Sequence, residues 1–378
     1  MTAAARSRVL SHLLVFTVIF GALLAMHAPY LQLPYFWDEL GQFIPAALDI
    51  LRDNAWVPHS TIPNVHPPAV MAYLALAWKL FGYSTLVTRV AMLLAAAAGV
   101  YFTFLLAIRL CRDVPGAPAF ITVGFLMATP LFYMQAMLAQ LDMPAMTLTA
   151  LAFLLFYDRR YAWCALASTL LVLTKETGIA APAVFGAWLL FHDRDWRRAA
   201  WFLLPAAALG AWLAILWHTT GYLLGDPGFA HYNVGYQLHP VRLAATLVRR
   251  VYYLFFADFR FLGLLVSFWA IRFARIYQRW EWTVAAYYVG GHLLLVTGFG
   301  GAALERYLLP VFPLLYLCMA TLWAAVRPRL RYVSQITMLA GLFSGLYWNP
   351  PFPFPLENNL ALIDFVELQK AGAEFLEK

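Results

Sequence analysis

Charged residues are scarce in this chain, at 12% of 378 residues, whereas a soluble domain carries about 25%. Hydrophobic residues make up 63% of the sequence, and several apolar runs reach the roughly 20 residues that a helix needs to cross a bilayer. The runs do not alternate between polar and apolar residues, so they predict helices. The scarcity of charge excludes a soluble globular protein, and we expect an all-α polytopic membrane protein.

Cysteine is also rare, and its spacing excludes two common site types. The three cysteines, Cys111, Cys164 and Cys318, lie on apolar runs or beside a turn, with neither a disulfide framework nor a metal-ligand pattern. We interpret them as small hydrophobic residues. The sequence has no internal repeat and no low-complexity segment, and its apolar runs leave no room for a sizeable soluble outer domain.

Basic residues outnumber acidic residues, 26 to 19, and their distribution is uneven. The N-terminus and one set of turns hold fifteen of the basic residues but only five of the acidic ones. This asymmetry follows the positive-inside rule and explains the net charge better than nucleic-acid binding does. The cytoplasmic turns are therefore those near 109–113, 158–160, 192–198, 272–281 and 327–331.

The same asymmetry predicts a cell inner (plasma) membrane protein with its N-terminus in the cytoplasm. The apolar run from Val9 to Tyr30 is long and lacks a small-residue cleavage site, so it predicts an uncleaved first membrane helix. Residues Asp38 and Glu39 then lie on the outer, periplasmic side. The C-terminus lies there too, as do the loops near 138–142, 175–177, 218–257 and 301–305.

About eleven spans are predicted from the apolar runs, at 9–30, 86–108, 118–137, 143–157, 161–174, 178–191, 199–217, 258–274, 282–300, 305–326 and 331–347. Two of them, 161–174 and 178–191, are only about 21 Å long at 1.5 Å per residue. We expect the turn with Lys175 and Glu176 to lie below the outer surface, in a cavity lined by protein. The alternative is one long helix from 161 to 191.

Residues 1–348 are predicted to form one membrane-embedded catalytic domain, and residues 349–378 a short outer tail. The outer loop 31–85 contains two predicted amphipathic helices, at 43–51 and from Pro67 to Leu80. The outer loop 218–257 contains a basic amphipathic helix at 241–256. A short helix at 359–377 is expected to end the tail.

Two adjacent carboxylates, Asp38 and Glu39, follow the first apolar run. Acidic residues at a membrane are costly and are usually functional. A carboxylate in a poorly hydrated pocket can take the proton from an acceptor hydroxyl, so we predict a catalytic role for the pair, with Asp38 as the general base. The alternative is a cap for the helix that follows.

Five further charged residues interrupt apolar regions on the outer side, and we predict that they bind substrate. Lys175 and Arg306 suit a phosphate carried by a lipid, and the alternatives are an ion pair with Glu176 for the lysine and snorkelling for the arginine. Asp142 is read as a second site acid or, alternatively, as a helix N-cap. Glu305 precedes Arg306 at the start of a span.

A histidine, His66, precedes Pro67 and Pro68 in the first outer loop. It could join His218, His231, His239 and the acids in a metal site, but their spacing matches no ligand motif, and an interfacial histidine is more often amphipathic. We therefore assign His66 to substrate binding, assign no metal ligands and leave a divalent cation open as a cofactor. The outer-loop aromatics suit sugar stacking or an aromatic belt.

Taken in order, these motifs resemble the GT-C glycosyltransferases of the protein O-mannosyltransferase, aminoarabinose transferase and galacturonic acid transferase type. The resemblance covers about residues 9–326. It rests on the acidic pair, a Pro-Pro helix followed by Arg89, and three outer motifs, which are Leu141-Asp142-Met143-Pro144, Thr174-Lys175-Glu176 and Glu305-Arg306-Tyr307-Leu308-Leu309-Pro310.

The resemblance implies a GT-C-type bundle and transfer of a sugar, with inversion, from a polyprenyl phosphate to a glycan, lipid or protein in the cell envelope. It implies that Asp38 is the base, with Glu39 beside it, that Asp142 is a second acid, and that Lys175 and Arg306 hold the donor phosphate. This chain lacks the large soluble C-terminal domain of many relatives and the acid that some carry near His66. The alternative function is a transporter or flippase of lipid-linked sugars.

Overall fold

The computed structural model describes residues 3–274, 276–348 and 355–377. The described residues are 79% helical. Its described residues form no strand, and Asn64 and Gly225 make an isolated antiparallel bridge. The bridge joins the first outer loop to the loop after residue 220, both of which border the site described below. The predicted all-α class is therefore confirmed.

The α-helices of the described residues are α1 (Ala3–His27), α2 (Ile44–Asp53), α3 (Ala69–Phe81), α4 (Thr85–Cys111), α5 (Pro118–Ala128), α6 (Pro130–Gln135), α7 (Asp142–Tyr157), α8 (Tyr161–Thr174), α9 (Ala180–Ala187), α10 (Trp196–Ala199), α11 (Leu203–Thr220), α12 (Pro227–Ala230), α13 (Pro240–Phe255), α14 (Arg260–Ala274), α15 (Trp280–Phe299), α16 (Phe312–Trp323), α17 (Pro328–Ser344) and α18 (Ala361–Leu376). Shorter 3-10 and π-helical turns extend several of them. The predicted amphipathic helices correspond to α2, α3, α13 and α18.

Among the described residues, the helical segments long and apolar enough to cross a bilayer are Val9–Tyr30, Thr85–Cys111, Trp196–Thr220 and Glu305–Trp323. Helices α13 and α14 meet at a bend of 77°, and they make a fifth such segment only if the pair is counted as one broken span. Most of the other predicted spans are shorter or broken, whereas α15 is a continuous helix of 20 residues that is not among these segments. The span at 118–137, for example, divides between α5 and α6 at Pro130, because proline lacks the N–H that would continue the helix. The number eleven therefore stays a prediction.

The break at Lys175 matches the predicted pair of short helices within residues 161–191, and not the alternative of one long helix. Helix α8 ends at Thr174, Lys175 is extended (φ −151°, ψ 129°), and a 3-10 turn leads into α9. A side chain at Gly178 would lie 2.7 Å from the Cγ atom of Leu171, so this close return of the chain requires glycine. The lysine side chain is thereby held inside the bundle.

The buried centre of the bundle is helix α7. It packs against α4 and α8, and α8 packs in turn against α11. A second, smaller core joins the first outer loop to the bundle, through Phe43, Ile44, Leu74 and Met92. Because both cores meet near the start of α7, the outer loop is fixed firmly beside Asp142.

Candidate active site

A cavity of about 620 Å³ lies where the first outer loop, the Lys175 turn, α11 and the segment 299–307 meet. Its polar lining includes Asp38, Gln42, His66, Lys175, Glu176 and Arg306. Its apolar lining includes Leu209, Leu213, Leu224, Leu295 and Phe299. The cavity can therefore receive a molecule with one anionic end and one hydrocarbon end.

Four predicted site residues that are distant in sequence lie together beside this cavity. They are Asp38, Asp142, Lys175 and Arg306. Arg306 pairs with Asp38 through Nη2, and its Nε lies 3.3 Å from an Asp142 oxygen, an ion pair without hydrogen-bond geometry. The other Asp142 oxygen lies 2.5 Å from the Lys175 ammonium. Asp142, Lys175 and Arg306 are at most 4% exposed, so these charges act in a medium of lower effective dielectric than water.

Their local structure decides between the earlier alternatives. Asp142 begins α7, but its carboxylate makes the two cation contacts, and no side chain caps this helix end. Lys175 pairs with Asp142 and not with Glu176. Arg306 lies in a 3-10 turn and points into the protein rather than towards the interface.

The ring of Tyr307 lies beside three cations. The Lys175 ammonium is 3.8 Å from the ring centroid, and the guanidinium carbons of Arg250 and Arg306 are 5.4 and 5.7 Å away. An aromatic face attracts cations in this range. Tyr307 belongs to the motif that contains Arg306, but no role was predicted for it. Its position directly after Arg306 is the feature of the sequence that could have indicated one.

In the same polar lining, His66 Nδ1 lies 2.9 Å from a Glu176 oxygen. Burial alone would raise the pKa of Glu176, but His66 and Lys175 outweigh it and lower the pKa to about 2. The two carboxylates that line the cavity, Asp38 and Glu176, are thus each engaged by a basic side chain. A divalent cation as cofactor stays a prediction.

The four histidines that could have formed a metal site do not come together. His66, His218, His231 and His239 form no group of three close ligand atoms within the described part of the chain. Among the described residues, Asp49, Asp53 and His59 do bring three ligand atoms close together, but none of them lines the cavity. It lies at the end of α2, largely exposed to solvent.

Glu39, although adjacent to Asp38, does not line the cavity. The chain turns at Trp37, which has a left-handed backbone (φ 54°), and Glu39 points inward to a bidentate pair with Arg89. The Glu39 carboxylate also accepts the N–H of Ala139 at 2.6 Å, and Arg89 donates to the carbonyls of residues 33, 34 and 137. This buried pair fastens the first outer loop to α4 and to the segment before α7.

Glu305 also lies outside the cavity lining. Its carboxylate accepts from Arg249 of α13 at 2.8 Å and from the Asn358 amide at 3.1 Å. The residue therefore connects α13 and the C-terminal tail to the turn that carries Arg306.

A second cavity, of about 340 Å³, opens on another side of Asp38. It shares Trp37, Asp38, Gln42 and Phe229 with the first cavity, and Thr61 and Asn64 add polar groups. The Asn64 amide donates to Gln42 at 3.1 Å. Asp38 therefore lies at the junction of the two cavities.

Solved structures of another protein have a similar fold. ArnT from Cupriavidus metallidurans bound to undecaprenyl phosphate aligns over 96% of this chain and 70% of its own, at 19% identity and a TM-score of 0.61. This chain has the fold of ArnT. The apo form of ArnT aligns over 95% of this chain and 69% of its own, at 18% identity and a TM-score of 0.62. No family model and no curated protein matches.

ArnT is an aminoarabinose transferase of the GT-C class. The predicted resemblance is thus confirmed for the fold, which this chain shares with a polytopic enzyme of the GT-C class.

The C-terminal tail contributes a site residue, Glu357, that was not predicted from the sequence. Glu357 Oε2 lies 2.8 Å from Arg306 Nη1 and 3.1 Å from the Gln140 amide. Burial raises the pKa of the Glu357 carboxyl, and the Arg306 guanidinium opposes the shift. Glu357 follows a proline-rich stretch with no motif around it, so no sequence signal pointed to it.

Proposed function

We propose that the protein is a membrane glycosyltransferase that moves a sugar from a polyprenyl phosphate to an acceptor hydroxyl, with inversion. The observation that supports this most directly is that Asp38, Lys175 and Arg306, joined through Asp142, lie together in the lining of a cavity that also has many apolar residues. The ArnT fold, found in a complex with undecaprenyl phosphate, supports a lipid phosphate as the donor carrier. The reaction takes place on the outer, periplasmic side of the inner membrane, as the charge asymmetry predicts.

The donor side uses the two buried cations. As the sugar leaves, the bond from its anomeric carbon to the phosphate oxygen breaks, and a second negative charge develops on the phosphate. Lys175 and Arg306 neutralise that charge in a poorly hydrated site, where such stabilisation is strong. The phosphate replaces Asp38 at Arg306 Nη2, which leaves the Asp38 carboxylate free to act.

The acceptor side uses the junction between the two cavities. An acceptor hydroxyl in the smaller cavity lies next to Asp38, which takes its proton as the new oxygen–carbon bond forms. With the donor in the larger cavity and the acceptor in the smaller one, we propose that attack comes from the face opposite the leaving phosphate. That geometry gives inversion at the anomeric carbon.

The remaining charged residues have supporting roles in this proposal. His66 and Glu176 line the wall that faces the donor sugar and contact its hydroxyl groups. Glu39 holds the catalytic loop through Arg89, and Glu305 holds the Arg306 turn. The domain division, with a catalytic domain at 1–348 and a tail from 349, stays a prediction.

The experiment is an assay of purified protein in lipid nanodiscs with a panel of labelled polyprenyl-phosphate sugars and envelope acceptors. A transferase releases polyprenyl phosphate and forms labelled glycoside product. A transporter of lipid-linked sugars leaves the phosphate ester intact and moves the labelled lipid between leaflets of proteoliposomes. Movement without release of the phosphate would replace the proposal with the transporter alternative.

Replacing Lys175 by methionine is expected to raise the donor KM about 10- to 100-fold and to leave the acceptor KM nearly unchanged. A hydrogen bond to a charged group contributes about 1.5–3 kcal/mol to binding. Of the two substrates, Lys175 would contact the donor phosphate and not the acceptor. Initial rates measured against donor and acceptor concentrations test this. The matched control is Lys79→Met, at an exposed position on α3, and an unchanged donor KM in Lys175→Met would count against the phosphate site.

A further inference from the structure

The C-terminal tail is packed onto the outer end of the bundle beside the active site. Leu362, Ile363 and Val366 of α18 are buried, and the ring of Phe365 contacts that of Phe36 with centroids 5.2 Å apart. The N–H of Leu360 donates to the Leu346 carbonyl at 3.1 Å. Phe36 precedes Asp38 by two residues, so the tail contacts the catalytic loop directly.

Within this tail, Glu357 reaches one end of the Arg306 guanidinium. Glu357 is 8% exposed, and its Oε2 accepts from Arg306 Nη1 at 2.8 Å. The opposite nitrogen, Nη2, donates to Asp38, and Asp142 faces Nε. Three carboxylates therefore surround one planar cation, and each occupies a different position around it.

We infer that Glu357 is a positioning residue that fixes the plane of Arg306, so that the tail is a working part of the active site. The inference rests on the proposed function and adds a residue to it. Asp38 must release Nη2 of Arg306 when the donor phosphate binds there, and Asp142 also pairs with Lys175. Glu357 is then the carboxylate that still hydrogen-bonds the guanidinium.

The loss of this contact has a specific consequence for the reaction. Without Glu357, the guanidinium keeps its positive charge but can rotate towards Asp142, and Nη2 no longer points at the leaving oxygen. The ground-state attraction for the phosphate persists, since the removed group is itself negative. We therefore expect the turnover number to fall while the donor KM stays nearly constant, because misplacement of a catalytic group acts on the transition state.

A neutral isostere separates geometry from charge. Glutamine at 357 can accept from Arg306 through its oxygen and donate through its amide to the Gln140 oxygen, which has no partner in the described structure. Alanine can do neither. Glu357→Ala is expected to lower kcat about ten- to a hundredfold, with the donor KM within about threefold of wild type, and Glu357→Gln to restore kcat to within about threefold of it.

The test measures kcat and donor KM for both variants and for Glu374→Gln, a matched control that removes an exposed charge from the same tail. Thermal unfolding of each purified variant identifies loss of fold, and binding of undecaprenyl phosphate measures donor affinity independently. Glu357→Ala at wild-type kcat would overturn the inference, as would Glu357→Gln with the same loss as Glu357→Ala. If wild type releases no polyprenyl phosphate from any donor, the proposed function itself fails, which is a different result.

Discussion

Replacing Asp38 by asparagine is expected to abolish sugar transfer while leaving the fold and the donor site in place. The amide keeps the size of the carboxylate but cannot take a proton, and general-base catalysis contributes about 100- to 10,000-fold in rate. Arg306 retains Glu357 and Asp142 as partners, so the cluster is not left with an unpaired buried cation. The expected loss is therefore in kcat.

The measurement compares product formation and undecaprenyl phosphate binding in Asp38→Asn and wild type. Asp53→Asn is a suitable control, because Asp53 lies in the same outer loop, is largely exposed and does not line the cavity. Transfer by Asp38→Asn at close to the wild-type rate would refute its role as the base. Tighter donor binding by the variant would support the exchange of Asp38 for phosphate at Arg306.

Replacing Arg89 by methionine is expected to destabilise the protein by about 3–5 kcal/mol, the largest stability effect that we predict. Arg89 is fully buried and Glu39 is 1% exposed, so the variant leaves a buried carboxylate without its counter-ion. It also removes the donor for the backbone carbonyls of Leu33, Pro34 and Met137. The first outer loop and the start of α7 would lose their common attachment.

Thermal unfolding of purified protein in detergent, followed by tryptophan fluorescence, measures this loss. Arg109→Met is the matched control, because Arg109 pairs with Asp158 at an exposed site, where an ion pair contributes about 0–1 kcal/mol. A melting temperature for Arg89→Met equal to that of the control would show that the buried pair does not hold the loop.

Much of the fold could be predicted because the bilayer restricts the choices. Long apolar runs have to be helical there, and the few charged residues within them are too costly to be accidental. For that reason the sequence indicated both the break at Lys175 and the meeting of residues 38, 142, 175 and 306. The amphipathic helices α2, α3 and α13 were predictable from their two-sided patterns.

Partnerships between side chains could not be predicted in the same way. Asp38 and Glu39 are neighbours with the same chemistry, but the left-handed residue Trp37 sends them to different partners. Glu357 reaches Arg306 across 51 positions of sequence, through a tail whose pattern carries no sign of the active site. Such contacts depend on tertiary packing, which no local periodicity encodes.

If the donor is a polyprenyl-phosphate sugar, as proposed, the size of the larger cavity sets how much of the carrier the protein can recognise. About 620 Å³ suits a molecule of drug size, which is enough for the sugar phosphate and the first isoprene units. The rest of a long carrier must remain among the lipid acyl chains. Water-soluble donors with only a few isoprene units should thus turn over normally, and the full-length chain would matter for delivering the donor along the membrane plane.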